Sequence, residues 1–226
     1  MHTDTATSDA LRERHRAIRE TQSQALATRL HRSLSWLQRA EQDTGDDDAR
    51  FIHLWIALNA AYASEFSDER EHARMGAFLE RIVAADHGQR LHALLFRQFS
   101  GPIRLLIDNR YVFAPFWQAL REHDASDRWK RAFERSRKDA MDALLAHRTA
   151  ELLGIVLRRL YVLRNQLVHG GATWNSSVNR AQLRDGCAIL GALLPLCIEL
   201  MMATDAFDDD PVAYPVITEL TRGAGR

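Results

Sequence analysis

The 226-residue chain contains only two cysteines and five prolines. Because prolines are few, long helices can run uninterrupted. The two cysteines, Cys187 and Cys197, lie on one predicted helix and cannot easily pair. Since no disulfide framework is present, and since residues 1–9 lack the apolar core of a signal peptide, we expect reduced thiols and a cytoplasmic location.

Charge of one sign and recognisable ligand clusters are also lacking. Lys+Arg and Asp+Glu are 30 each, so composition does not announce a nucleic-acid binder. No histidine or cysteine pair has metal-ligand spacing, and phosphate-cradling glycine loops and nucleophile elbows are absent. We therefore expect no metal and no other cofactor. Residues 188–202 are too short for a membrane span and include Pro195 and Glu199, so we expect no membrane partner.

Strand-like alternation is missing throughout, and apolar residues recur at helical spacing. We interpret the chain as all-α: one helical bundle over residues 1–204, with an inserted region at about 86–126 and an acidic C-terminal tail at 205–226. The aspartates of the tail, Asp208 to Asp210, would keep it soluble. Ser100-Gly101-Pro102 predicts a break. The predicted helices run from Ser8–Asp9 to about Gln42, and over about 49–64, 68–85, 91–99, 127–145, a stretch ending at His169, and 178–204.

The most informative segment ends a long apolar helix and reads from Leu163 to Gly171 as LRNQLVHGG. At about 100° per residue, Arg164 falls within the apolar stripe, where an unpaired charge is costly. Asn165 and His169 share one face, and Arg158 lies on the same side. Arg164 and His169 diverge by about 140° on a straight helix. A common site therefore requires that the arginine reaches round, that the last turn loosens, or that a second copy of the helix contributes.

These residue types suit phosphodiester chemistry without a metal. Arginine stays charged at any biological pH and can bind a phosphate through two hydrogen bonds. Histidine exchanges a proton near neutrality. The alternative is structural: Arg164 would pair with a buried carboxylate, and His169 would stabilise the C-terminus of its helix.

The pattern Arg164-Asn165-x-x-x-His169 resembles the signature of the HEPN superfamily, small all-helical proteins that include many prokaryotic toxin and anti-phage ribonucleases. Residues 51–62 resemble an early core helix of some branches, and the likeness in layout covers about 48–202. The resemblance implies an HEPN-like helical bundle with additional helices. It also implies a metal-independent endoribonuclease, in which the ribose 2′-hydroxyl attacks phosphorus and leaves a 2′,3′-cyclic phosphate.

The resemblance further implies roles for the motif. His169 would move the proton, Arg164 would stabilise charge on the phosphoryl oxygens, and Asn165 would orient the histidine or the phosphate. Two motifs would face each other across a homodimer, for which Ile155 and Val162 would suit an interface; they could equally pack on the inserted region. The implied partners are RNA and, in toxin or anti-phage systems, an antitoxin or another defence protein.

Three further residues are candidates for substrate binding. Arg158 would contact the RNA backbone or be a solvated side chain. Trp174 would stack on a base, or pack in the core or an interface. Asn59 would be a satisfied core amide or would support the Arg164–His169 site. The basic helix at 128–138 suits single-stranded RNA or is an exposed charged face.

Two rival functions stay open from the sequence. The first is a helical RNA-binding or regulatory module that does not cleave. The second is a structural partner protein in which Arg164 is consumed by an internal ion pair.

Overall fold

A computed structural model describes residues 6–62, 68–212 and 214. Within them the fold is all-α, as the sequence predicts. Short 3-10 turns lie at Arg19–Thr21 and Arg110–Val112, and a π-turn lies at Leu94–Gln98. The α-helices are α1 (Ser8–Ile18), α2 (Gln24–Gln42), α3 (Asp47–Tyr62), α4 (Asp68–Ala85), α5 (Arg90–Ala93), α6 (Ser100–Asp108), α7 (Ala114–Arg121), α8 (Arg128–Leu145), α9 (Thr149–Val168) and α10 (Arg180–Met202).

The prediction of a single first helix is wrong, because the chain breaks between α1 and α2. Thr7 caps α1 by accepting a hydrogen bond from the Ala10 amide, one residue before the predicted cap. Ser23 caps α2 by accepting from the Leu26 amide. A serine that satisfies an otherwise unpaired amide starts a new helix even within an amphipathic run.

The core is centred on α3, α9 and α10, whose apolar side chains are nearly all buried. The helix pair α3 and α10 packs closely at Gly186. A Cβ atom there would lie 2.7 Å from Phe51 Cε2 and 3.1 Å from Leu160 Cδ2. Glycine at this position therefore allows Phe51 of α3 and Leu160 of α9 to pack against the backbone of α10.

By length and composition alone, α10 could cross a membrane, with a mean hydropathy of 1.7 over its most apolar window. The observed helix begins at Arg180 and is therefore longer than residues 188–202, the segment that the sequence analysis found too short for a membrane span. In the structure 78% of this window is buried inside the bundle. Core helices have the same composition, so the finding carries no argument about location.

The segment after α10 is built into the bundle over its described part. Phe207 is fully buried, and its ring lies 5.7 Å from that of Phe78. Asp210 accepts hydrogen bonds from the buried Arg29 at 3.2 Å and from Arg81 at 2.7 Å. The prediction that this aspartate only keeps a tail soluble is wrong, since its carboxylate holds two arginines. Residues 213 and 215–226 of the predicted tail lie outside the described residues.

The inserted region covers one side of α9. The helical stretch of α5 and the π-turn ends at Gln98, so the predicted break is present. Ser100-Gly101-Pro102 then opens α6, where a proline in the first turn is tolerated. A turn at 146–148, with His147 at φ 54°, separates α8 from α9. Ile155 and Val162 are 5% and 9% exposed, so this region covers them. Neither residue is available as a dimer interface.

Candidate functional site

The sequence motif lies at the C-terminal end of α9, which stays regular through its last turn. The His169 amide donates to the Asn165 carbonyl at 3.0 Å, as in a continuing α-helix. Gly170 then adopts φ 68° and ends the helix. The last turn therefore does not loosen, which removes one of the three routes by which Arg164 and His169 could meet.

A cavity of about 640 Å³ opens beside this turn, between α9 and the inserted region. Its size is that of a pocket for a small organic ligand. The lining residues come from the 3-10 turn, from α7, α8 and α9, and from the loop after α9: Val112, Phe113, Ala114, Pro115, Trp117, Arg121, Ser136, Ile155, Arg158, Arg159, Tyr161, Val162, Asn165, Gln166, His169 and Gly171.

Three of the sequence candidates meet in this cavity: Arg158, Asn165 and His169. The imidazole of His169 is exposed and makes no hydrogen bond to any described residue. The side chain of Arg158 is partly buried, and this burial lowers its pKa, whereas the charge of Glu151 raises it. A proton-transfer group and a cation thus face the same space.

Arg164 does not line the cavity. Its guanidinium donates to Asn165 Oδ1 at 2.9 Å and lies 5.8 Å from the centre of the Tyr161 ring. Among the described residues it has no ion pair with a carboxylate. The premise of the structural alternative, an arginine neutralised by an internal acid, is therefore not met in the described part of the chain.

The contact between Arg164 and Asn165 fixes the orientation of the amide. Because a guanidinium only donates, the amide must present its oxygen to Arg164. The Nδ2 group of Asn165 makes no hydrogen bond among the described residues and is left as a donor. Asn165 therefore links the half-buried cation to the cavity that His169 faces.

Arg159 is a residue of the cavity that the sequence interpretation missed. It is 3% exposed, although it follows the exposed Arg158 directly. On α9 it lies near Ile155 and Val162, the two apolar residues that face the inserted region. That position was the available signal, because a cation at the centre of a covered apolar face needs an explanation.

The cavity is electrostatically one-sided. Three arginines line it, namely Arg121, Arg158 and Arg159, and none of its described lining residues is acidic. Burial lowers the pKa of Arg159 to about 10, with the charge of Arg158 acting in the same direction. A guanidinium is a cation at neutral pH, so a cavity with three of them and no acid in its described lining favours an anion.

Two other sequence candidates lie elsewhere. The Asn59 amide oxygen is buried without a hydrogen-bond partner, so it is not the satisfied core amide of the first interpretation. No hydrogen bond joins Asn59 to the motif among the described residues. Trp174 is 73% exposed, and its indole donates to Asp46 at 2.9 Å. It packs neither in the core nor in the cavity.

Part of the positive charge of the basic helix α8 is paired with neighbouring acids. Lys130 pairs with Asp127 at 2.7 Å, and Arg137 pairs with Asp108 at 2.6 Å. Trp129 packs edge-on against Phe116 at 5.0 Å. These contacts favour the interpretation of this helix as an exposed charged face.

The described residues contain no group of three or more histidine, cysteine, aspartate or glutamate side chains that could hold a metal ion. No family model, curated protein or solved structure matches the chain.

Proposed function

We propose that the protein is a metal-independent endoribonuclease of the HEPN type, acting in anti-phage defence or as a toxin in the cytoplasm. One observation carries the proposal: His169 and the free donor of Asn165 face a cavity whose described lining has arginines and no acids. Arg164 donates a hydrogen bond to the oxygen of that amide and has no acidic partner among the described residues.

The chemistry requires one proton transfer in each direction. His169 accepts the proton of the 2′-hydroxyl as its oxygen bonds to phosphorus. The bond between phosphorus and the 5′ oxygen breaks, and the imidazolium returns the proton to that oxygen. The products are a 2′,3′-cyclic phosphate and a 5′-hydroxyl end. The Asn165 amide and the arginines stabilise the negative charge on the phosphoryl oxygens.

A homodimer brings Arg164 of one chain close to His169 of the other chain. Within one chain the two side chains lie on different sides of α9, and the regular last turn keeps them there. The end of α9 and the following loop expose apolar side chains that a second copy would cover, Val168 at 50% and Val178 at 69% exposure. In a two-fold dimer, Arg164 of one chain acts with His169 of the other.

Cleavage is tested with purified protein and total RNA in EDTA, with detection of 2′,3′-cyclic phosphate ends. We expect His169→Ala to reduce the rate by about 10² to 10⁴, and Arg164→Ala to reduce it as well. The matched controls are His87→Ala and Arg184→Ala, both at exposed positions outside the cavity. RNA binding without any cyclic ends would instead identify the non-cleaving module.

The dimer is tested by mixing the two inactive variants. If each site combines Arg164 and His169 from different chains, half of the dimers regain one of two sites, and about a quarter of the activity returns. A site contained within one chain would regain nothing. Light scattering after size exclusion gives the mass of the assembly independently.

A cellular test needs no knowledge of the RNA target. Expression of the wild-type protein should arrest growth, and Arg164→Ala should relieve the arrest at equal protein level. An antitoxin or defence partner would be expected to suppress the same arrest. Growth unaffected by the wild-type protein would argue against the toxin role.

A further inference from the structure

The strongest unexplained feature outside the motif is the buried Arg159. Its Nη2 donates to the Ile107 carbonyl at 3.3 Å and to Ser136 Oγ at 3.2 Å. Its Nε is buried without a hydrogen-bond partner, and no described carboxylate forms an ion pair with it. A buried guanidinium held only by neutral oxygens carries an uncompensated charge.

Aromatic rings hold this guanidinium in place but do not neutralise it. Its central carbon lies 4.5 Å from the centre of the Phe113 ring and 5.2 Å from that of Phe133. Cation–π contacts of this kind compensate part of the desolvation and fix the orientation of the group. The charge of Asp108 raises the pKa of Arg159, but this carboxylate is paired with Arg137 at 2.6 Å.

The same cavity presents two more cations and a flat apolar wall. Arg121 and Arg158 line it without an ion pair among the described residues. The ring of Trp117 is fixed because its indole donates to the Tyr111 carbonyl at 2.7 Å. An aromatic face beside cations suits a ligand with a planar ring and a negative charge.

We propose that this cavity binds one nucleotide, with its phosphate on Arg158 and Arg159 and its base against the aromatic wall at Trp117. A volume of about 640 Å³ is sufficient for one nucleotide. If the cavity is the subsite for the nucleotide next to the cleaved bond, the inference rests on the proposed ribonuclease function. As a binding site for a nucleotide unit, it does not require cleavage.

Binding is measured by calorimetry with adenosine 5′-monophosphate, which the proposed reaction cannot cleave. Adenosine and inorganic phosphate serve as part-ligands, and each should bind at least tenfold more weakly than the whole. Arg159→Leu should weaken binding of the monophosphate at least tenfold. Arg121→Ala, at an exposed position where folding is not at risk, should weaken it severalfold, whereas Arg184→Ala should not. Equal binding by all four proteins, or no binding by the wild type, overturns the proposal.

The source of the nucleotide is resolved by competition. A short 2′-O-methyl oligonucleotide, which lacks the attacking hydroxyl, should displace the monophosphate if the cavity receives one unit of an RNA strand. If it does not, the cavity receives a free nucleotide, and the substrate part of the proposal is overturned. The two proposals fail separately: cleavage without monophosphate binding removes only the cavity assignment, and binding without cleavage removes only the nuclease.

Discussion

Asp209 and Asp210 are adjacent, but only the substitution of Asp210 is expected to lower the free energy of unfolding. Asp210 pairs with Arg29, whose side chain is 2% exposed, and with Arg81, whose side chain is 37% exposed. Arg29 also donates to the carbonyls of Ala61 and Phe207. Asp209 is exposed and has no contact among the described residues that would be lost. We therefore compare Asp210→Asn with Asp209→Asn.

The expected loss for Asp210→Asn is worked from burial. Removing one partner of a buried ion pair costs about 3–5 kcal/mol. Asparagine keeps an acceptor for Arg29, and the Asp210 side chain is 26% exposed, so part of this cost is avoided. We expect a loss of about 1–3 kcal/mol in the free energy of unfolding. For a chain of this length that lowers Tm by roughly 2–12 °C, whereas Asp209→Asn should change the stability by less than about 0.5 kcal/mol.

The assay is denaturant unfolding followed by circular dichroism, supported by thermal melts. A double-mutant cycle with Arg29→Met separates the ion pair from other effects, because Asp210→Asn should cost less when Arg29 is already gone. Equal midpoints for the two aspartate variants would refute the reasoning and would restore the interpretation of a merely solubilising tail.

Three further outcomes follow from buried groups. Burial, followed by the charges of nearby basic residues, lowers the pKa of His15 and His92 from 6.5, so the unfolded chain binds more protons below that pH. Stability should fall as the pH drops from 7 to 5, and less so in His15→Gln; a flat pH profile of Tm would contradict this. Burial raises the pKa of Cys187 and Cys197 to about 12, so neither thiol should react with iodoacetamide at pH 8 until the protein is unfolded; rapid labelling of the native protein would show that the thiols are accessible. Gly186→Val should lower the free energy of unfolding by about 2 kcal/mol or more through overpacking, measured by urea denaturation against Gly45→Val, where the added side chain has open space.

Helix identity could be predicted from the sequence because apolar spacing determines it directly. The predicted helix at 68–85 has the observed bounds, and that at 127–145 differs by one residue at its start. The break at Ser23 could not be predicted, since a serine within an amphipathic run caps a helix only when the chain actually turns there. The ion pair of Asp210 could not be predicted either, because its partner Arg29 lies far away in the sequence and only tertiary packing brings the two together.

The candidate site, too, could be predicted from the sequence only in part. Angles around a single helix predict that Asn165 and His169 share a face, and both line one cavity. The cavity itself depends on how the inserted region packs on α9, which helical periodicity does not encode. For this reason Arg159 was overlooked beside Arg158: two adjacent arginines look alike in a sequence and differ only in what covers them.

One amide side chain, that of Gln166, ties together the parts around the motif. Its Nε2 donates to the Tyr111 carbonyl of the inserted region at 2.7 Å, and its Oε1 accepts from Asn179 in the following loop at 3.0 Å. The proposed reactive groups therefore lie at the end of the core helix α9, while the wall opposite them belongs to the inserted region. Replacing the inserted region by another segment of equal length would change which ligands enter the cavity. Asn165 and His169 would stay in place, provided that Gln166 keeps a hydrogen bond to the new segment and the one to Asn179.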